Sequence, residues 1–295
     1  MQGIDKAITD LWPKVQRRYF CKHLSASWKK NFHGPKLWQL FWLACGAFST
    51  FTFAKAMKEL DKEDHDARKW LADLGPQERW TKHKFDAELK CDVNKTNFVE
   101  SFNATLGIDK CKPVLTLLEG IRRVTMVRLA TRRQKCADWE KLCPNIVKRV
   151  QDLCNDSRSC RAFMSSAGEY EVMEGKSVLS VSLNQHTCLC NVWQLTGIPC
   201  KHAMRAILYE GLDPQTFVHE WYSVEKYRLA YGQSIKPIPD QEKWEASEHP
   251  TILPPVIKRG VGKPCRNRRR GDDEERKGKR SKTVKCGKCG EFGHN

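Results

Sequence analysis

His186-Thr187-Cys188-Leu189-Cys190, nine further residues, then Cys200-Lys201-His202 is the stretch that sets the character of this chain. On an extended strand, residues two apart point to the same face, so Cys188 and Cys190 are expected to address one point in space. Gly197-Ile198-Pro199 reads as a turn, which places Cys200 at the mouth of the next helix and lets His202 reach the same point. Three thiolates and one imidazole make a closed tetrahedral set, the composition of a structural Zn²⁺ site with no position left for water. An ion held this way stabilises a small β-hairpin–helix unit and does no chemistry. The bland alternative, cysteines acting as small hydrophobes, has little to do here. Trp193, Leu195, Ile198, Ala203, Met204 and Ile207 already supply a compact apolar set. His186 is read as a surface histidine beside the cluster.

Outward from this point, Tyr170-Glu171-Val172 and Val178 to Leu183 alternate and are rich in β-formers, with Glu174-Gly175-Lys176 as the turn between them. A helix is expected from Lys201 to Tyr209, then short helical pieces over Phe217–Tyr222 and Val224–Tyr231. The upstream half reads as helical. Ile4, Ala7, Ile8 and Leu11 share a face before a break at Pro13 and a mixed basic segment from Arg17 to His23. Phe53, Met57 and Leu60 form one stripe, and Trp70, Leu71 and Leu74 another, closed by Gly75-Pro76. After Pro113 comes a long helix with Val114, Leu117, Leu118, Ile121 and Val124 on one face and Arg122, Arg123, Arg128, Arg132 and Arg133 on its flank. Such a flank reads first as a solvated surface and second as a phosphate-tracking stripe. Leu37 to Ala54 carries no charge, but its helical spacing and its polar residues point to a buried helix face, and no membrane partner is expected.

The chain has 295 residues, 40% of them hydrophobic, and a formal net charge of +17, which selects polyanionic partners. No secretory signal is visible at the start, so the 14 cysteines read as metal ligands or buried thiols rather than a disulfide scaffold. From Lys258 to Lys285, thirteen Lys and Arg stand against four acids, a net of +9. Too few apolar groups lie there to offset ordering entropy, so the segment is expected to be disordered. Arg266, Arg268, Arg269 and Arg270 within it are candidates for contact with nucleic acid, and the same run suits a nuclear import signal. Cys286, Cys289 and His294 follow the spacing of a CCHC zinc knuckle that stops short of its last cysteine. Knuckles of this kind bind single-stranded nucleic acid.

Cys-x-Cys, a spacer with Trp193 and Gly197-Ile198-Pro199, then Cys-x-His followed by Ala203 resembles the SWIM-type zinc finger of plant Mutator-like transposases. Asn97-Phe98-Val99-Glu100-Ser101-Phe102-Asn103 resembles that family's Asn-x-x-Glu-Ser-Phe-Asn stretch. Lys112-Pro113-Val114-Leu115 with Glu119-Gly120-Ile121-Arg122-Arg123 resembles the segment after it. The resemblance covers most of residues 1–235. It implies an RNase H-like core with a helical insertion, in which two aspartates and a glutamate hold divalent metal for phosphoryl transfer. By that resemblance Glu100 is the catalytic glutamate; it also completes a capping box with Asn97. The two aspartates have no counterpart, because Asp5 and Asp10 sit in a helical pattern, so this chain is not expected to cut DNA. Cys21 and His23 depart from the family's Cys-x-x-His spacing.

Together these readings predict an α+β, mostly helical chain. Residues 1–135 are the C-terminal part of an RNase H-like transposase region with helical insertion, and 136–168 a helical linker. Residues 169–235 hold a ββα SWIM finger, 236–285 a disordered basic tail, and 286–295 a truncated knuckle. The expected function is a zinc-binding, DNA-associating protein of the nucleus resembling a truncated or degenerate Mutator-like transposase. Two alternatives stay open: a fragment of an active DDE transposase, and a SWIM-mediated protein-interaction module.

Overall fold

A computed structural model describes residues 2–13, 15, 17–94, 98–239 and 241–243. The basic tail, Arg266, Arg268, Arg269, Arg270 and the knuckle residues Cys286, Cys289 and His294 lie outside the described residues. Helix α1 (Gln2–Leu11), which carries Asp5 and Asp10, stops before Pro13, whose missing N–H cannot continue the ladder. Of the mixed basic segment, residues 17–20 are irregular and Cys21 to His23 open α2 (Cys21–Asn31), which buries Cys21, Ser25 and Trp28. Cys21 lies with its thiol 3.4 Å from the Trp80 carbonyl, and His23 is exposed, so the pair is split between core and surface.

The charge-free stretch forms two helices, α3 (Pro35–Gly46) and α4 (Thr50–Glu63). Ser49 breaks it: its hydroxyl accepts from the Thr52 amide at 3.2 Å while Thr52 Oγ1 accepts from the Ser49 amide at 3.3 Å, a reciprocal cap. The open end of α3 is closed by side chains from further along. Thr81 donates to the Ala44 carbonyl at 2.8 Å and Asn94 to the Cys45 carbonyl at 3.1 Å. Both polar groups are buried and both are needed, because the last carbonyls of a helix have no partner of their own. Asp64 caps α5 (His65–Ala72) through the Ala67 amide. Helices α2 to α5 enclose Trp28, Phe41, Cys45, Leu60, Leu71 and Trp80. Among the described residues no helix is long and apolar enough to cross a membrane.

Helix α6 (Phe98–Leu106) carries Glu100 in its first turn, while Asn97, the expected cap, is outside the described residues. In α7 (Val114–Lys135) the predicted apolar face is only partly covered: Val114 and Leu118 are exposed, Leu117, Ile121 and Val124 are half-buried, and Gly120 is the buried residue of the helix. Gly120 packs tightly on the preceding 3₁₀ turn; a Cβ there would lie 2.7 Å from Asp109 Oδ2. The basic flank is partly occupied. Arg122 forks onto Glu119, Arg128 donates to Thr105 Oγ1, Arg132 lies over the Tyr231 ring, and Arg133 donates to the Gln233 carbonyl at 2.6 Å.

After α8 (Pro144–Asp156) the chain enters an antiparallel sheet of order β1-β2-β3-β4: β1 (Cys160–Ser166), β2 (Glu169–Glu174), β3 (Ser177–Ser182) and β4 (Thr187–Cys188). Strand β1 corrects the reading of 136–168 as helical throughout. Phe163 and Met164 have no alternation strong enough to mark it, and pairing with Glu171 and Tyr170 of β2 supplies what local pattern does not. Two short helices follow, α9 (Val192–Thr196) and α10 (Lys201–Tyr209). Helix α10 lies on the sheet through Ala203, Ala206 and Ile207, against Val172, Val181 and Trp193. Its other side places Met204 with Ile198 and Val150 of α8. The piece expected as helical over Phe217–Tyr222 is two 3₁₀ turns, Pro214–Phe217 and Glu220–Tyr222, before α11 (Val224–Tyr231). The architecture is α+β. Residues 1–238 form one compact unit; of the second, Pro239–Asn295, only a 3₁₀ turn at Gln241–Lys243 is described beyond Pro239.

Two stability predictions follow from the helical layer. Trp28 is fully buried, with its ring 5.0 Å from Phe41 and edge-on to Trp70 at 5.6 Å. Trp28→Ala is expected to lower unfolding free energy by about 3–5 kcal/mol in a denaturant titration, from lost burial and the cavity left behind. His83 stacks on Phe53 with centroids 4.2 Å apart, and burial, helped by Lys84, lowers its pKa to about 4. Its contribution is complete above the unfolded value near 6.5 and falls away as pH drops towards about 4, because the unfolded chain then binds the extra proton. The melting temperature of His83→Gln should therefore change less over that window than that of the parent.

Candidate metal centre

Four side chains from three elements converge under α10. Cys188 ends β4, Cys190 sits in the turn beyond it, Cys200 is the N-cap of α10, and His202 lies in that helix's first turn. The expectation that Cys188 and Cys190 share one strand face needs correction. Strand β4 pairs with β3 through Thr187 and Cys188, the Leu189 amide adds one more bond to the Ser180 carbonyl at 3.0 Å, and the chain then turns sharply. Asn191, in the left-handed region at φ 60°, makes that turn possible, so Cys190 reaches the cluster by a reversal of the backbone and not by strand pleat.

The turn is held by a residue that local pattern did not single out. The Gln194 side chain accepts from the Cys188 amide at 3.1 Å and donates to the Cys188 carbonyl at 2.9 Å, pairing the backbone groups that face away from β3. At the far end, Gly197 has φ 70° and a Cβ there would fall 2.8 Å from Cβ of His219, so the turn into Pro199 requires glycine twice over. Cys200 then starts α10 with its sulfur 3.5 Å from the Ala203 amide, in the position an N-cap oxygen usually takes.

The sulfur atoms and an imidazole nitrogen all lie within 4.8 Å of one another. Nδ1 of His202 is 3.7 Å from the sulfurs of both Cys188 and Cys200. A tetrahedron with Zn–S near 2.3 Å and Zn–N near 2.0 Å separates its donors by about 3.5–3.8 Å, so this set fits the ion. Cys188, Cys200 and His202 are 2%, 3% and 6% exposed and Cys190 is half-buried, and four protein donors leave no open position, as in a structural site.

The four groups perturb one another's protonation. The Cys190 thiol is pushed far below its ordinary range, chiefly by hydrogen bonds from Cys188 and Cys200. Cys200 is pushed above its own range by its contacts with Cys188 and Cys190 and by burial. Burial opposes charge on His202, yet hydrogen bonds to Cys188, Cys190 and Glu174 outweigh it and raise the pKa to about 11. Crowded thiols thus favour a positive charge at their centre, the place a dication would take while releasing their protons.

The remaining candidates do not join this centre. His186, at φ 54°, is exposed and stacks on Trp193 with centroids 5.1 Å apart. Cys154 lies 3.9 Å from the Met204 sulfur, and Cys160 is buried in the core under α10. The eleven cysteines of the described residues are all free thiols. Glu174, read from sequence only as the start of a turn, is instead the last residue of β2 and bonds His202 from the side opposite the sulfurs.

The sheet, the helix and the Cys3His cluster define a small structural zinc finger. Residues 170–211 match the SWIM zinc finger. No curated protein and no solved structure matches the chain.

Zinc at about 100 times its dissociation constant should raise the stability of the full chain by about 2.7 kcal/mol, and chelation should reverse this in a thermal melt. Cys200→Ser is expected to abolish that zinc-dependent gain, whereas Leu189→Ser, at an exposed position between two ligands, should keep it.

Proposed function

We propose that this chain is a zinc-stabilised protein of the nucleus that associates with DNA and is related to Mutator-like transposases. The observation that carries the reading is the SWIM zinc finger of residues 170–211 in a chain of net charge +17. The Asn-x-x-Glu-Ser-Phe-Asn stretch and the basic α7 support it, as does the CCHC spacing at Cys286, Cys289 and His294. On this reading residues 1–135 derive from an RNase H-like core and its helical insertion, and Glu100 is that core's glutamate. One carboxylate does not make a two-metal site, and no aspartate within these residues matches its partners, so the proposed role is binding and not cleavage.

Arg122, Arg128, Arg132 and Arg133 all have intramolecular partners, so α7 engages phosphate only by exchanging those contacts. The proposed affinity is therefore mainly long-range and electrostatic. A second reading, a protein-interaction module, is favoured by the exposed Val114, Leu115 and Leu118 of α7.

Fluorescence anisotropy of a labelled duplex with the full chain separates the two. If six to ten phosphates are neutralised, affinity should drop by roughly 10³–10⁵ between 50 and 200 mM salt. No measurable DNA affinity at low salt, together with a partner captured through α7 and lost on Leu118→Asp, would replace the DNA reading by the interaction module.

A further inference from the structure

The two nitrogens of His202 face different chemistry. Nδ1 looks at the sulfurs of Cys188 and Cys200, each 3.7 Å away, while Nε2 is 3.0 Å from Glu174 Oε2. Glu174 is the last residue of β2, set across from Cys160 of β1 and Ser177 of β3, so the sheet fixes its backbone directly under the start of α10. Its other oxygen is paired with the Lys201 ammonium. The carboxylate is two-thirds buried and the imidazole nearly wholly so, which protects the bond between them from competition by water.

We infer that Glu174 is a positioning residue of the zinc centre: it accepts the Nε2–H of His202 and so commits Nδ1, with its lone pair free, to the metal. A ring nitrogen that donates to a carboxylate cannot be the ligand, and the bond both orients the ring and makes the other nitrogen a better donor. Lys201 holds the carboxylate in place from the solvent side. The neighbouring trio Cys160, Glu174 and His202 also lies within 4.8 Å, which raises a competing arrangement, a second ion bridged by the imidazole. The Lys201 ammonium on the same carboxylate disfavours it, because it already supplies the positive charge that such an ion would bring. The inference rests on the zinc reading of the Cys188, Cys190, Cys200 and His202 cluster.

The test uses the full chain carrying Cys286→Ser and Cys289→Ser, so that zinc titrated against a chromophoric chelator reports this centre. Glu174→Ala is expected to weaken zinc binding by about 10–100-fold. Glu174→Gln, which keeps an acceptor, should recover part of the loss, and Lys201→Met should lose less than Glu174→Ala. Long-range proton–nitrogen NMR of the parent, independent of any variant's folding, should show His202 with a protonated Nε2 and a metal-bound Nδ1. Cys160→Ser should leave zinc content unchanged. A metal-bound Nε2, or Glu174→Ala binding zinc as tightly as the parent, overturns the positioning role while leaving the finger intact. Loss of one zinc equivalent in both Cys160→Ser and Glu174→Ala replaces it with the bridged ion. A parent that binds no zinc removes the zinc reading itself.

Discussion

Three thiols and an imidazole are brought within 4.8 Å of one another beneath a helix, in surroundings that offer little water. Kept protonated, the sulfurs crowd one another; ionised, they repel in a medium of low polarity. A dication resolves both, and the geometry of residues 169–209 is understandable as the way to assemble its four donors. Strand β4 is two residues long because the chain must reverse at once to return Cys190. Gln194 pairs both backbone groups of Cys188 on the free edge of β4, and Gly197 allows the second reversal that delivers Cys200 to the head of α10.

The finger is also braced from outside its own segment. Asn191 donates to the Phe48 carbonyl at 2.9 Å, and Lys90 reaches the Gln194 carbonyl at 3.2 Å. The Tyr222 hydroxyl lies 2.7 Å from the Thr196 carbonyl and 2.9 Å from that of Lys90. These bonds fall on the two reversals that set the ligand positions. The helical layer therefore buttresses the parts of the finger that regular secondary structure does not hold. Lys90 itself stands at φ 44°, a conformation that costs energy in a non-glycine residue and persists where surrounding contacts hold it.

Helix α7 shows the opposite balance. It is 22 residues long and carries good helix formers, yet it leaves Val114, Leu115, Leu118 and Val127 exposed. Its arginines are spent largely on neighbours: Glu119, Thr105, Tyr231 and the carbonyl of Gln233. A basic flank read from periodicity alone looks like a surface for phosphate; in place, much of it serves to attach α7 to α6 and α11. What charge contributes to partner choice is then a property of the whole chain more than of this face.

By itself the sequence picked out the cluster of Cys188, Cys190, Cys200 and His202, because these residues carry their chemistry in residue type and spacing, whatever path the backbone takes. It also determined α10, β2 and β3, whose periodicities are strong and local. Only the tertiary structure decided how Cys190 arrives, since a left-handed Asn191 and the side chain of Gln194 do work that no periodicity records. It decided that 160–166 is a strand, through pairing with residues that follow it. It placed Glu174 behind His202, 28 residues away along the chain. And it left half of the α7 face uncovered, because amphipathic spacing states which side of a helix is apolar but not whether another element lies against it.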